Sequence, residues 1–285
     1  MAASPTVRRR RLARILAELR AGAALTAAEA ATELEWGPSK IHYLENARAA
    51  RPSVRDVGDL CDVYAKHGAP VNKELRAALV HLAREARQRG WWQSYGDILA
   101  EEYSTFIGLE AEAAASLNVE PMVVPGLLQT EGYARALWSG TELDAAEVSR
   151  LVKVRLQRQA VLTREPAPLR LWAVLGETVL RQQVGGREIM REQMRHLLEM
   201  AELPNIQLQV VPFSAGAWPA FAGAFQILQF ADEQDPDVAY IETSAGGYWA
   251  EAHDQVIRYH HDHQRWVAAG LSQAESLALI RDAAA

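Results

Sequence analysis

Between Thr26 and Asn46 the sequence spells two short helices separated by a turn too tight to let them run side by side. Thr26 is placed to cap the first, and Glu29 three residues on completes a capping box. Ala31 and Leu34 supply its apolar face. Glu35-Trp36-Gly37 forms the turn, and Pro38 stands in the first turn of the second helix, where proline is tolerated. Ile41 and Leu44 point inward, and the helix ends near Asn46. A connection this short sets the second helix across the first at a steep angle. Ala31 must be small because the helices approach closely there, and the outer face of the second helix is left free.

The flanking segments read as more short helices. Leu12, Ile15, Leu16 and Leu19 recur at three- and four-residue spacing, ending near Gly22 as a C-terminal stop. Ser53 caps a helix carrying Val57, Leu60 and Val63, which Gly68-Ala-Pro70 terminates. A fifth helix, about 71–89, has Leu75, Leu79 and Leu82 on one side. These observations set residues 1–70 as one domain and 71–90 as a connecting helix. The composition shifts at Trp91-Trp92, opening a second domain over 91–285.

In that second domain helices are predicted near 105–117, 126–138, 143–163, 187–202 and 272–283, with an extended segment at Pro121–Pro125. Strand signals begin only after Pro166. They fall at Leu169–Leu175, Ile206–Val210, Phe225–Phe230 and Val238–Thr243. The predicted architecture is a mainly α N-terminal helix-turn-helix bundle followed by an α+β domain with a small sheet of about four strands. Met190, Met194 and Leu197 share a stripe that reads as core.

The net charge of −6 conceals a split. Residues 1–90 carry 16 Lys+Arg against 10 Asp+Glu, and the remainder 14 against 26. A basic first third on an acidic chain suits a part that meets phosphate and a part that does not. No run approaches the roughly 18 apolar residues that cross a membrane. The N-terminal arginines are not followed by the apolar stretch and cleavage site of a secretory signal. The single cysteine, Cys61, excludes an internal disulfide framework. A cytoplasmic protein without membrane contact is expected.

A helix crossing its neighbour as described fits the major groove of double-stranded DNA with its N-terminal residues at the base edges. Ser39 and Tyr43 lie on the exposed face as candidate base readers, with Lys40 and His42 flanking them. Asn46, Arg48 and Arg51 are candidate grips on the phosphate backbone, which give affinity without sequence information. The segment resembles the XRE/Cro-type helix-turn-helix repressors. The resemblance rests on Leu25-Thr26, Ala31, Leu34, Trp36-Gly-Pro-Ser-Lys-Ile41 and Leu44-Glu45-Asn46, with Arg48 and Arg51 in the following loop. It covers about 60 residues. It departs from the family at Ala27, Ala30, Glu35 and Ala47. Glu35 must then take the turn without glycine's freedom at positive φ.

The larger domain resembles the C-terminal domain of a large actinobacterial group of helix-turn-helix regulators described as antitoxin-like. The matching runs include Arg89-Gly-Trp-Trp92, Phe106-Ile-Gly-Leu-Glu110, Val124-Pro-Gly-Leu-Leu-Gln-Thr130, Tyr133-Ala134 and Arg155…Arg158-Gln159. Further matches are Gly176-Glu177…Leu180, Val184-Gly-Gly186, Met190-Arg-Glu-Gln193, Val211-Pro-Phe-Ser-Ala-Gly216, Tyr240-Ile-Glu-Thr243 and Glu275-Ser276. The resemblance implies a transcription factor linked to development or secondary metabolism and names no ligand; the reading of the chain as a whole is a homodimeric regulator. Its C-terminal part would pair subunits and answer a small-molecule effector or a small protein encoded nearby.

There is no Gly-x-Ser-x-Gly elbow, His-Glu-x-x-His helix, phosphate-binding glycine loop or Cys pair. No enzyme is expected, and no catalytic residue, cofactor or metal is assigned. His253-Asp254 and His260-His-Asp-His263 read as a polar helix face rather than metal ligands. Glu177 and Glu242 read as ion-paired as readily as pocket residues. Trp172, Trp218, Phe221 and Trp249 read as core packing. The alternative is a regulator-derived protein with a vestigial helix-turn-helix, whose C-terminal domain binds or transforms a metabolite.

Overall fold

The computed structural model describes residues 5–37, 39–46, 52–87, 90–216, 223–232, 235–243 and 246–285. Candidate residues Arg48 and Arg51, together with Pro38, Ala47, Trp218 and Phe221, lie outside them. The chain divides into two units, residues 1–93 and 94–285.

The first unit contains α1 (Pro5–Gly22), α2 (Ala27–Glu33), α3 (Ser39–Glu45), α4 (Val54–Lys66) and α5 (Lys73–Glu85). Its core is built from the predicted periodic positions. Leu12, Leu16, Ile41, Leu60 and Leu79 are buried together with Ala31 and Tyr64. Leu79 and Ala83 place α5 in the same core as the four helices before it. The predicted caps are present: Thr26 and Glu29 bond reciprocally, and Ser53 accepts from the Asp56 amide.

Two helix ends use positive φ without glycine. After α1 the left-handed residue is Ala24 at φ 53°, while Gly22 stays within the helix, which corrects the predicted stop. Its bonds are Ala24 N–H to Ala21 O and Leu25 N–H to Arg20 O. After α2 Glu35 adopts φ 54°, with Glu35 N–H to Thr32 O and Trp36 N–H to Ala31 O. Both are Schellman closures, in which the left-handed site ordinarily holds glycine. Glu35→Gly is therefore expected to raise the stability of this unit by about 1 kcal/mol, the scale of the Cβ penalty at left-handed φ. A thermal melt checks it; an unchanged or lower midpoint contradicts the strain assigned to Glu35.

The second unit contains α6 (Glu101–Glu110), β1 (Ala115–Glu120), α7 (Glu131–Leu137), α8 (Ala145–Arg158), β2 (Arg170–Gly176), α9 (Thr178–Arg181) and α10 (Arg187–Met200). It continues with β3 (Ile206–Val211), β4 (Phe225–Gln229), β5 (Val238–Thr243), β6 (Gly246–Ala250), α11 (His253–Ala269) and α12 (Gln273–Ala283). The six strands form one mixed sheet in the order β3-β2-β1-β4-β5-β6. The pairs β3/β2 and β2/β1 are parallel and the rest antiparallel.

Six strands replace the four expected. The predicted helix at 105–117 stops at Glu110, and its last residues begin β1. That strand puts Leu117 and Val119 on one face and Ser116, Asn118 and Glu120 on the other. Buried polar side chains on the second face hid it among helical neighbours. The other missed strand, β6, begins with Gly246-Gly247, which reads as a turn. At Gly247 a Cβ would stand 2.3 Å from the Tyr240 hydroxyl, so the Tyr240 ring lying over this position favours glycine.

One face of the sheet packs on α11 through Val119, Val174, Ile227, Ala239 and Trp266. The edge at β3 is covered: Val210 donates its N–H to Ser276 Oγ and accepts from Leu271 N–H. This removes unpaired edge groups that invite association.

The histidine-rich segment lies on α11 and is divided among environments. His263 is buried edge-on to Trp172, with ring centroids 5.2 Å apart. His260 meets Asp237 at 2.9 Å, and His253 and His261 are exposed. Among the described residues no group of three or more His, Cys, Asp or Glu side chains is arranged to hold a metal.

Burial, helped by the charge of His260, lowers His263 to about 4. The unfolded chain then binds a proton that the folded chain refuses between roughly pH 6.5 and 4. Stability from this group is complete above that window and is lost as pH falls through it. Relative to wild type, His263→Phe is expected to recover about 3 kcal/mol at pH 4 and nothing at pH 7.5. Denaturant unfolding of both proteins at the two pH values checks it, and an equal difference at both contradicts it.

Candidate nucleic-acid interface

The helix α3 is held on one side and open on the other. Ile41 is fully buried and Leu44 5% exposed, whereas Ser39, His42, Asn46 and Tyr43 (51% exposed) face solvent. The inward side is anchored by Glu45, which accepts from Arg20 Nε and Nη2 at 2.8 Å each and from the Tyr64 hydroxyl at 3.1 Å. Arg20 also donates to Leu25 O at 2.9 Å, which joins the end of α1 to the same network. Charge-assisted, bidentate bonds of this kind fix orientation as well as add energy. The Tyr64 hydroxyl is pushed far above its ordinary range by burial first and by Glu45 second.

The sequence candidates divide. Ser39, His42, Tyr43 and Asn46 share the open face. Asn46 turns part of its amide back, donating to His42 O at 2.8 Å and lying 3.0 Å from His42 Nδ1. His42 and Asn46 thus form one linked edge rather than two independent arms.

Lys40 is differently placed. Its Nζ lies 2.9 Å from Asp56 Oδ2 and 3.8 Å from the centroid of the Trp36 ring, so it ties α3 to α4 and to the turn. Trp36 four residues before Lys40 was the available sequence signal. Asp56 was not legible, because it arrives from the next helix. Pro52, Ser53 and Asp56 join Ser39 and Tyr43 along an open groove of about 410 Å³ beside the reading face.

Other cations of this unit are also matched by carboxylates. Glu33 receives Lys66 at 2.5 Å and His67 at 2.7 Å, and Arg76 meets Asp62 at 2.7 Å. These pairs are locally neutral, so they tie up individual cations but leave the net positive excess of the first 90 residues unchanged.

Two helices crossing through a tight turn, with the second carrying an exposed polar face, define a helix-turn-helix protein. Residues 11–73 match the family described as a helix-turn-helix domain. Residues 103–282, more than half of the chain, match the family described as a domain of unknown function (DUF5753), and the protein belongs to that family. No curated protein and no solved structure matches the chain. Among the described residues no helix is long and apolar enough to cross a membrane.

Of the other pocket residues considered from sequence, Glu177 and Trp249 have structural partners. Glu177 accepts from Phe213 N–H and Arg181, which together hold it below the usual carboxylate range against its partial burial. Trp249 packs against Tyr240 and Phe106.

Proposed function

We propose that this protein is a cytoplasmic, sequence-specific DNA-binding transcriptional regulator of the XRE/Cro type rather than an enzyme. The carrying observation is α3 itself. It is locked inward by Ile41, Leu44 and Glu45, and it presents Ser39, His42, Tyr43 and Asn46 to solvent. The open face enters the major groove, with Ser39 and Tyr43 at base edges. Asn46, Arg48 and Arg51 grip phosphates, and Lys40 mainly positions the helix. A homodimer compensates for weak reading by each copy, because two linked half-sites raise avidity without new contacts. The larger unit answers an effector or a small partner protein, as in the antitoxin-like actinobacterial regulators that the sequence resembles.

The test is binding of the full chain to DNA from its own upstream region at several salt concentrations. If each copy neutralises roughly 4–6 phosphates, log K falls by about 0.9 per contact for each unit of log salt. Salt-independent association, or none below micromolar, overturns the reading.

A second reading is favoured by Lys40, whose pairing with Asp56 removes a free cation from the reading helix. In it the helix-turn-helix is vestigial and the C-terminal unit binds or transforms a metabolite. A copurifying metabolite without retention of any upstream DNA would favour it.

A further inference from the structure

The sheet face opposite α11 is polar where β1, β4 and β5 meet, and there it faces α6 and α8. Asn118 and Glu120 from β1, Gln226 from β4 and Tyr240 and Glu242 from β5 line a cavity of about 80 Å³ that Arg155 and Arg158 also border. This is small beside the several hundred Å³ of a typical site for a whole ligand. It accommodates an end group of a few non-hydrogen atoms.

The polar groups around it are mostly committed. Arg158 forks onto Glu110 at 2.7 and 2.8 Å and also donates to the Tyr103 hydroxyl. Arg155 donates to Gln129 Oε1 at 2.8 Å. Gln226 Nε2 donates to Ser116 Oγ at 2.8 Å and to Glu110 Oε1 at 3.2 Å. Its oxygen therefore faces the Asn118 amide nitrogen at 3.3 Å. That relay fixes the Asn118 flip, since the reverse would oppose two oxygens.

The Asn118 oxygen is left over. Asn118 is 5% exposed, and its Oδ1 has no hydrogen-bond partner among the described residues. A buried unsatisfied acceptor costs about 1–3 kcal/mol unless something donates to it. Glu120, two residues along the same strand face, has burial and neighbouring charges but no hydrogen bond among the described residues acting on its carboxyl, and Glu242 adds a second carboxylate. Among the described residues the buried lining atom left without a partner is thus an acceptor, and the carboxylates of Glu120 and Glu242 stand beside it with Arg155 as the opposing charge.

We propose that this cavity binds the protonated end of a small primary amine, with Asn118 Oδ1, Glu120 and Glu242 receiving its N–H groups. An ammonium supplies three donors and one positive charge, which is the complement of these three acceptors. Tyr240 and Phe106, stacked with centroids 4.5 Å apart, wall the site beside them. Its role as an effector site rests on the regulator reading above, but the binding itself does not.

Burial, then the charge of Glu242, pushes Glu120 up to about 8, and Arg155 opposes the shift. With Glu110 on α6 held by Arg158, the charged groups that border the cavity with Glu120 are Arg155 and Arg158 on α8 and Glu242 on β5. The tyrosines facing it are Tyr103 on α6, Tyr133 on α7 and Tyr240 on β5. Bound ammonium favours ionised Glu120, so binding releases a proton below that value.

Calorimetric titration of the full chain with propylammonium, propionamide and propionate tests the proposal without any DNA. Only propylammonium is expected to bind. Its affinity should weaken about tenfold per unit as pH falls below 8, with proton uptake by buffers of different ionisation enthalpy. Glu120→Gln and Glu242→Gln should each weaken it at pH 8.5, the former at least about tenfold. Asn118→Leu should weaken it at both ends of the pH range. The exposed Glu242 site keeps the test informative if Glu120→Gln alters folding. No binding of propylammonium, preference for the amide or acid, or affinity unchanged in both glutamine variants overturns the proposal. Failure here leaves DNA recognition intact, and loss of DNA binding leaves amine binding intact.

Discussion

Arg158→Met is expected to destabilise the C-terminal unit by about 3–5 kcal/mol, the cost of leaving one partner of a buried ion pair uncompensated. Arg158 and Glu110 are 6% and 1% exposed, and their fork bonds measure 2.7 and 2.8 Å. Without the guanidinium, Glu110 keeps, among the described residues, only the Gln226 amide at 3.2 Å, and that donor is shared with Ser116. Arg158 also covers the rings of Phe106 and Tyr103, at 4.8 and 5.3 Å from their centroids. Methionine retains some of that packing, so the loss reports mainly the stranded carboxylate. The double variant Arg158→Met/Glu110→Leu removes both desolvated charges and should recover most of the loss, to within about 2 kcal/mol of wild type. Denaturant unfolding of the full chain, followed through the transition of this unit, measures both. A single variant within 1 kcal/mol of wild type, taking about 1 kcal/mol as the scale of an ordinary hydrogen bond, would show that Glu110 has another partner.

Tyr43→Glu is expected to weaken binding to the protein's own upstream DNA by at least about a hundredfold. One lost base contact is worth about 1–3 kcal/mol, and the new carboxylate faces phosphates. The side chain is half exposed at the centre of the open face of α3, so thermal stability should change by less than about 0.5 kcal/mol. That separation of binding from stability is the diagnostic. Lys40→Ala behaves differently, because it removes the Asp56 ion pair and the contact over Trp36, and so it should lower stability along with affinity. Fluorescence anisotropy with labelled upstream DNA, paired with thermal melts, distinguishes the two. Wild-type affinity in Tyr43→Glu would remove α3 from the DNA contact.

The arginine and glutamine runs that carried the family resemblance acquire a physical role in the second unit. The loop over 124–130 is pinned by side chains arriving from several elements. Gln129 Nε2 donates to Val124 O, and the Tyr133 hydroxyl accepts from Val124 N–H. Gln159 donates to Gln129 O, and Gln193 bonds both Leu128 O and Thr130 N–H. These residues satisfy Val124, Leu128, Gln129 and Thr130 backbone groups of a buried loop that has no strand partner to do so, which is the requirement such loops face. The same loop then borders the amine cavity through Val124, Gly126 and Gln129.

The first unit was legible because its information is local. Thr26 with Glu29, Ser53, and the spacing of Ile41 and Leu44 act within one or two turns of helix. The structure reproduces each of them. Glu35 was legible as the residue that must take the turn, and its φ of 54° shows how. The second unit was less so. Two strands were missed because β1 directs polar residues into the protein and β6 opens on two glycines, so neither follows an apolar-in, polar-out pattern.

By itself, then, the sequence determined the crossed helix pair, its caps, its turn and the face of α3 that stays open, because capping and 3.6-residue periodicity are short-range effects. Only the tertiary structure decided that Lys40 is bound to Asp56 and that Glu45 locks to Arg20 and Tyr64. It also decided that Asn118, Glu120 and Glu242, from two strands far apart in sequence, border one cavity. Those outcomes depend on which side chains long-range packing brings together, and spacing along the chain does not encode that.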